Sequence, residues 1–159
     1  MRKKKTQAQA DDVFEMPSAG SIYIFRASDV TRILGIEKWR LEKFLTGKQY
    51  RLSPSGHIGK GKGSWRLFSR ENLYRLEVAS RIVEDGFTAK FVSMVLQEID
   101  DSELLDIDEH GATAATDLWV VRSATGPRVV FPSIAEKNNM YYVIPLRQWI
   151  TNVNERIAA

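Results

Sequence analysis

The chain has 159 residues, of which 43% are hydrophobic and 10% aromatic, enough to fill the core of one ordinary domain or of a small domain with an appendage. It has no cysteine and only two histidines, which excludes disulfides, thiolate metal sites and a histidine-based zinc site. Since it lacks a long apolar run, and an apolar segment behind its basic start, we expect a cytoplasmic protein without a membrane span.

Positive charge is concentrated in one part of the chain. Residues 1–99 carry 18 Lys/Arg against 11 Asp/Glu, a net charge of +7, whereas residues 100–159 carry 5 against 9, a net charge of −4. Residues 21–70 alone hold 11 basic and 3 acidic side chains, for +8. This local density suits a polyanionic partner such as a nucleic acid.

The first helix is predicted to follow a flexible basic tail (1–20) and a short extended entry (21–25). It begins near Ser28 as the N-cap and stops at Gly35, which allows a tight turn with Ile36 as its buried residue. The apolar positions at helical spacing are Val30, Ile33 and Leu34.

A second helix is predicted over about residues 37–45, with Leu41, Phe44 and Leu45 on its buried face. The opposite, surface face then carries Trp39, Arg40, Glu42, Lys43 and Thr46, with Lys38 at the start of the helix. Such a helix fits the DNA major groove, where Arg and Lys donate to guanine and Glu accepts from cytosine. The alternatives are that the tryptophan folds back onto the core and that the charges are only solvated.

A β-hairpin with a long loop is predicted next. Its strands are Gln49–Leu52 and Trp65–Phe68, and its loop, 53–64, contains four glycines and two lysines. We expect Lys60 and Lys62 to lie along the sugar-phosphate backbone, where they would release counterions. The strand residues Arg51 and Arg66 are further candidate DNA contacts.

The same loop meets only part of the pattern of a phosphate-binding P-loop. Gly56 to Lys62 has the required spacing, but Gly63 occupies the position of the Ser or Thr. A strand also follows, where a helix N-terminus would have to face the phosphates. Nucleotide binding is therefore disfavoured.

Two more amphipathic helices are predicted after the hairpin. Ser69 caps a helix over about 70–85, Gly86 closes it, and Thr88 caps a helix that extends to about Ile99. Their apolar stripes are assigned to the core.

Four segments in this order resemble the N-terminal domain of the MerR superfamily of bacterial regulators, over about residues 23–99. They are Ser28–Ile36, the strand Trp65–Ser69, the helix opening Glu71–Leu73 with Leu76, and the bend Gly86–Thr88. The resemblance implies a winged helix-turn-helix domain with the second helix in the major groove and the wing on flanking backbone. It implies DNA roles for Arg40, Lys43 and Arg66, and it makes RNA polymerase a candidate partner.

The chain departs from the usual family pattern at the second helix. Typical members have a Leu-Arg-aromatic-aromatic run, whereas here Leu41 is followed by Glu42, Lys43 and Phe44. Base preference is therefore not transferred. The wing loop is long, and no long coiled-coil dimerisation helix is visible after the fourth helix.

The remainder is predicted to be an acidic linker or short helix (100–116) and a small βββα module (117–159). The EF-hand pattern is absent from the acidic stretch, and Asp106, Asp108 and His110 lack a nucleophile or pocket, so metal binding and catalysis are disfavoured. The module is too small to be stable alone and should pack on the first domain or on a second copy. That packing would bury the aromatic residues Trp119, Tyr141, Tyr142 and Trp149, and the alternative is that these residues line a small-ligand pocket.

The predicted fold class is thus α+β: a winged helix-turn-helix domain, 21–99, of four helices and a hairpin wing, followed by a small antiparallel sheet and a C-terminal helix. The predicted function is sequence-specific binding of double-stranded DNA by a homodimeric, nucleoid-associated transcriptional regulator, without enzymatic activity, metal or cofactor. The alternatives are an excisionase-like or chromosome-organising architectural protein and a protein-interaction adaptor.

Overall fold

The computed structural model describes residues 24–50, 52–58, 65–110, 117–130 and 140–159. Over these ranges the fold is α+β, with six helices and two three-stranded antiparallel sheets. In chain order the elements are β1 (Phe25–Arg26), α1 (Ala27–Leu34), α2 (Lys38–Thr46), β2 (Gly56–Ile58), β3 (Trp65–Phe68), α3 (Arg70–Glu84), α4 (Ala89–Gln97), α5 (Asp101–His110), β4 (Leu118–Ser123), β5 (Gly126–Val130), β6 (Met140–Ile144) and α6 (Leu146–Ala158). None of the helices in these ranges combines the length and apolar character needed to cross a membrane.

Helices α1 and α2 are joined by a tight turn at Gly35, as predicted. Gly35 has φ 65°, a left-handed conformation that glycine adopts without strain, and Ile36 behind it is buried. Helix α1 begins near Ser28 as predicted, but the prediction of Ser28 as its N-cap is wrong, because the N-cap is Arg26. The Asp29 carboxylate accepts the Arg26 backbone N–H at 2.9 Å, which fixes the earlier start.

The predicted strand Gln49–Leu52 is wrong at residues 49, 50 and 52, the part of it that the structure describes. The chain turns after α2, where the Tyr50 N–H donates to the Gly47 carbonyl at 2.9 Å. The Tyr50 ring packs edge-on against Phe44 with centroids 5.0 Å apart, so its apolar surface covers the end of α2 instead of a sheet. A Cβ on Gly47 would lie 2.7 Å from the Lys43 carbonyl oxygen, so only glycine fits beneath that ring.

The first sheet has the order β1-β3-β2, with β3 in the middle. The predicted second strand of the hairpin is confirmed as β3, and its partner is β2, with His57 opposite Arg66 and Ile58 opposite Trp65. The predicted cap of α3 is also confirmed, since the Ser69 hydroxyl accepts the backbone N–H of Asn72.

The C-terminal part packs on the first part of the same chain. The second sheet has the order β5-β4-β6, and α6 lies against α3 and α1. One hydrophobic core includes Val30 of α1, Leu73 of α3 and Val153 of α6. The Tyr74 hydroxyl donates to Asn154 Oδ1 at 2.7 Å across the α3–α6 contact. The chain itself therefore covers the apolar surface that a module of this size cannot bury alone.

The stretch expected as a linker or short helix contains a helix over most of its length. Asp100 precedes α5, and its carboxylate accepts from the backbone N–H and the hydroxyl of Ser102, both at 2.9 Å. These hydrogen bonds hold the pKa of Asp100 below its ordinary value. Leu104 is fully buried in the common core, so α5 is part of the folded unit; residues 111–116 lie outside the described ranges.

Candidate functional site

The outward face of α2 is a polar surface with one large aromatic side chain. Lys38, Trp39, Lys43 and Thr46 are exposed, and Trp39 is 61% accessible. The Trp39 indole N–H donates to the Glu37 carboxylate, which holds the ring against the outside of the helix. The predicted exposure of Trp39 and Lys43 is confirmed, and the alternative that Trp39 folds onto the core is excluded.

Arg40 does not belong to this face, and its assignment to it was wrong. Its guanidinium turns towards α3, where Nη1 donates to Glu84 Oε1 at 2.9 Å and Nη2 donates to the Ser80 carbonyl at 3.1 Å. Only 21% of its side chain is accessible. The long arginine stem reaches from the edge of α2 to these acceptors, a possibility that the helical period alone does not reveal.

Glu42 links α2 to the hairpin. Both of its carboxylate oxygens accept from Arg66 Nη1 at 2.7 Å. Two of the predicted DNA contacts are therefore paired with each other in the free protein. Glu42 thus has a partner on β3, and the pair connects the outward helix to the middle strand of the sheet.

Trp65 and Arg26 extend the exposed surface, and neither was among the predicted site residues. Trp65 is 53% accessible, and Cζ of Arg26 lies 4.3 Å from the centroid of its ring. This is cation–π geometry between β1 and β3. Trp65 stands next to the predicted DNA contact Arg66 in the sequence, and this could have indicated a place in the site. Arg26 could not have been found in the same way, because only the pairing of β1 with β3 brings it to Trp65.

The start of the hairpin is held by the first turn of α3. The Asn72 side-chain amide donates to the Ser53 carbonyl at 3.2 Å, and its Oδ1 accepts from the Ser55 hydroxyl. The backbone N–H of Ser69 donates to the Ser55 hydroxyl at 3.3 Å. Asn72 thus positions the segment that leads into β2, a role beyond that of opening a helix.

We define the α2–hairpin surface as the exposed or half-exposed residues Arg26, Lys38, Trp39, Lys43, Trp65 and Arg66. The predicted contacts Arg51, Lys60 and Lys62 lie outside the described residues. Within the described ranges, no group of three or more His, Cys, Asp or Glu side chains could hold a metal ion.

No protein-family model and no curated protein matches this chain. The α2–hairpin surface combines cationic and aromatic side chains. It carries two exposed lysines on one helix, Lys38 and Lys43, and two exposed indole rings, Trp39 and Trp65. The cations supply donors for an anionic partner, and the rings supply flat apolar area.

The four aromatic residues proposed as a ligand or dimer surface do not share one surface. Trp149 is 9% accessible and belongs to the core, which agrees with packing on the first part of the chain and contradicts a place on a ligand or dimer surface. Tyr142 packs on Phe87 with centroids 4.6 Å apart and donates to Asp85. Burial and this hydrogen bond raise the pKa of the Tyr142 phenol.

The other two aromatic residues lie on the second sheet. Trp119 is half-buried on β4, and Tyr141 is 42% accessible at a register shift between β4 and β6. The four predicted aromatic residues thus lie in different environments. The inward-facing residues of the second sheet and of α6 belong to the core that these elements share with α3.

Proposed function

We propose that this chain is a sequence-specific double-stranded DNA-binding protein of the winged helix-turn-helix type, similar to the MerR superfamily. In this proposal α2 enters the major groove and the β2–β3 hairpin lies against the adjacent sugar-phosphate backbone. The observation that carries it is the outward projection of Trp39 and Lys43 from the second of two turn-linked helices.

The chemistry of the surface favours duplex DNA as the partner. An α-helix fits the width of the major groove, where a lysine can donate to guanine and an indole ring can contact a thymine methyl group. The segment around the surface, 21–70, carries a net charge of +8, which supplies the nonspecific attraction to phosphates. Lys60 and Lys62, separated by glycine, suit close approach to the backbone.

A role as a bacterial transcriptional regulator, and RNA polymerase as a partner, rest on the resemblance. We propose a homodimer because one helix contacts only a few base pairs, and two half-sites bound by two subunits multiply the specificity. Selection of bound sequences from a random duplex pool tests sequence-specific DNA binding and the homodimer together. We expect an inverted repeat, whose two halves would report one subunit each.

Binding by substituted proteins tests which residues make the contacts. Lys43→Ala should weaken binding to the selected DNA site by about 1–3 kcal/mol if Lys43 contacts a base. Substitution of both Lys60 and Lys62 by Ala should weaken all sequences alike and reduce the slope of log K against log salt by about 2. Lys90→Ala, an exposed lysine of α4, is the matched control and should change little.

The following outcomes would contradict this function. The first is a wild-type protein that binds no duplex at low salt. The second is a Lys43→Ala protein that binds the selected site as well as the wild type does. The third is a protein partner that remains bound after nuclease treatment and with Lys43→Ala, which would favour an adaptor. A strong bend without sequence selection would instead favour an architectural role.

A further inference from the structure

A chain of ion pairs leads from α2 through α3 to the C-terminal helix. It begins at Arg40, whose Nη1 lies 2.9 Å from Glu84 Oε1, and Glu84 Oε2 lies 3.5 Å from Arg81 Nη1. Arg81 Nε lies 3.0 Å from Glu77 Oε1, and the same oxygen lies 2.7 Å from Arg156 Nη2. Side chains of α2, α3 and α6 are thereby in direct succession.

The α2 end of this chain is held at two points. Arg40 donates from separate nitrogens to a carboxylate and to a backbone carbonyl of α3, and its Cζ lies 5.9 Å from the Phe44 ring centroid. The planar fork of a guanidinium suits such two-point attachment, which a lysine cannot reproduce. Arg40 would have to break both bonds to reach a base, so its position favours fixing α2 against α3.

The α6 end is held through a buried carboxylate. The Glu77 side chain is 2% accessible and accepts from both Arg81 and Arg156. Arg156 also donates from Nε to the Asn152 carbonyl at 2.9 Å, which fixes its stem on α6. Removing Arg156 leaves a buried charge with one fewer partner, and Arg81, which holds Glu84, then has to compensate.

We propose that Arg40 is a positioning residue for the α2–hairpin surface, and that Glu84, Arg81 and Glu77 connect its orientation to Arg156. The C-terminal helix then sets the DNA affinity of a surface that it does not form. This inference rests on the proposed function. Contiguous ion pairs give α2, α3 and α6 the direct side-chain contact through which such a connection can act.

Glu84→Gln gives the sharpest test, because a general charge effect and the positioning of Arg40 predict opposite changes in DNA affinity. If charge alone matters, removing an acid strengthens binding to a polyanion. If Glu84 holds Arg40, the substitution weakens binding of the selected duplex by about threefold to tenfold. Glu98→Gln, at an exposed position after α4, has the same charge change and should leave affinity equal or slightly higher.

The far end is tested by Arg156→Gln against Arg147→Gln. Both remove one positive charge from α6, but Arg147 is exposed and outside the ion-pair chain. We expect only Arg156→Gln to weaken binding by about threefold or more. The double variant with Arg156→Gln and Glu84→Gln should lose less affinity than the product of the two separate fold-changes, because both substitutions act through the same series of ion pairs.

Hydrogen exchange of the α2 amides tests the positioning role without DNA. Arg40→Ala and Glu84→Gln should speed exchange over residues 41–46 but leave the amides of α4 unchanged. Arg40→Lys should not restore protection, although it keeps the positive charge.

The inference is overturned if Glu84→Gln strengthens DNA binding, if Arg40→Lys protects the α2 amides as well as the wild type does, or if Arg40→Ala and Glu84→Gln leave exchange of the α2 amides unchanged. It is also overturned if Arg156→Gln and Arg147→Gln bind alike. A wild-type protein that binds no duplex DNA refutes the proposed function instead, and the exchange experiment then still reports whether Arg40 fixes α2.

Discussion

Leu104→Ala tests whether α5 belongs to the folded unit or is an acidic linker. Leu104 is fully buried where α5 lies against α3 and α6. Truncation removes three side-chain carbons, and at about 0.8 kcal/mol each the lost transfer free energy is about 2.4 kcal/mol. The unfilled space raises the cost, so we expect the free energy of unfolding to fall by about 3–4 kcal/mol.

Urea denaturation followed by far-ultraviolet circular dichroism measures this change. Alanine is the best helix former, so a loss of stability cannot come from a weaker helix and must come from lost packing. Leu104→Met, which nearly conserves volume, is the control and should cost less than about 1.5 kcal/mol. A change within about 0.5 kcal/mol for Leu104→Ala, the usual range of surface positions, would refute the burial of α5.

Three further predictions concern the turn, the cap and the C-terminal sheet. Gly35→Ala should lower the free energy of unfolding by about 1–2 kcal/mol, because its φ is 65° while a Cβ would meet nothing within 4 Å; Gly35→Asn should cost less. Ser69→Ala should lower the free energy of unfolding, measured by urea denaturation, by about 1 kcal/mol, because it removes the acceptor for the Asn72 N–H. Ser69→Thr keeps a hydroxyl acceptor and should retain most of the wild-type stability. The pKa of the Tyr142 phenol is higher in the folded protein than in the unfolded chain, where it is about 10. Its contribution to the free energy of unfolding is therefore complete below about pH 10 and decreases as the pH rises from there towards the folded pKa. Wild-type stability should therefore fall more steeply above pH 10 than that of Tyr142→Phe, and equal slopes would contradict the hydrogen bond to Asp85.

Local patterns in the sequence were sufficient to predict most helices and several of their ends. Ser69 and Thr88 cap α3 and α4, and Gly35 closes α1, as expected from their short-range chemistry. The strand predicted over Gln49–Leu52 failed because alternation over four residues does not distinguish a strand from a turn with one buried ring.

The candidate site was predictable only in part. Helical periodicity was enough to assign Trp39 and Lys43 to the outside of α2, because exposure follows from the angle to the apolar stripe. Arg40 lies at the edge of that stripe, and its direction depends on Glu84, 44 residues away. Glu42 likewise pairs with Arg66, 24 residues away.

The sequence by itself determined the apolar faces, the caps and turns, and the concentration of positive charge in residues 21–70, because each depends on residues close together in the chain. Tertiary structure alone decided which charges are free and which are paired. It also decided that Trp149 belongs to the core and that α6 lies against α3. The physical reason is that a long charged or aromatic side chain takes its environment from whichever element packs beside it, and periodicity within one helix does not specify that neighbour.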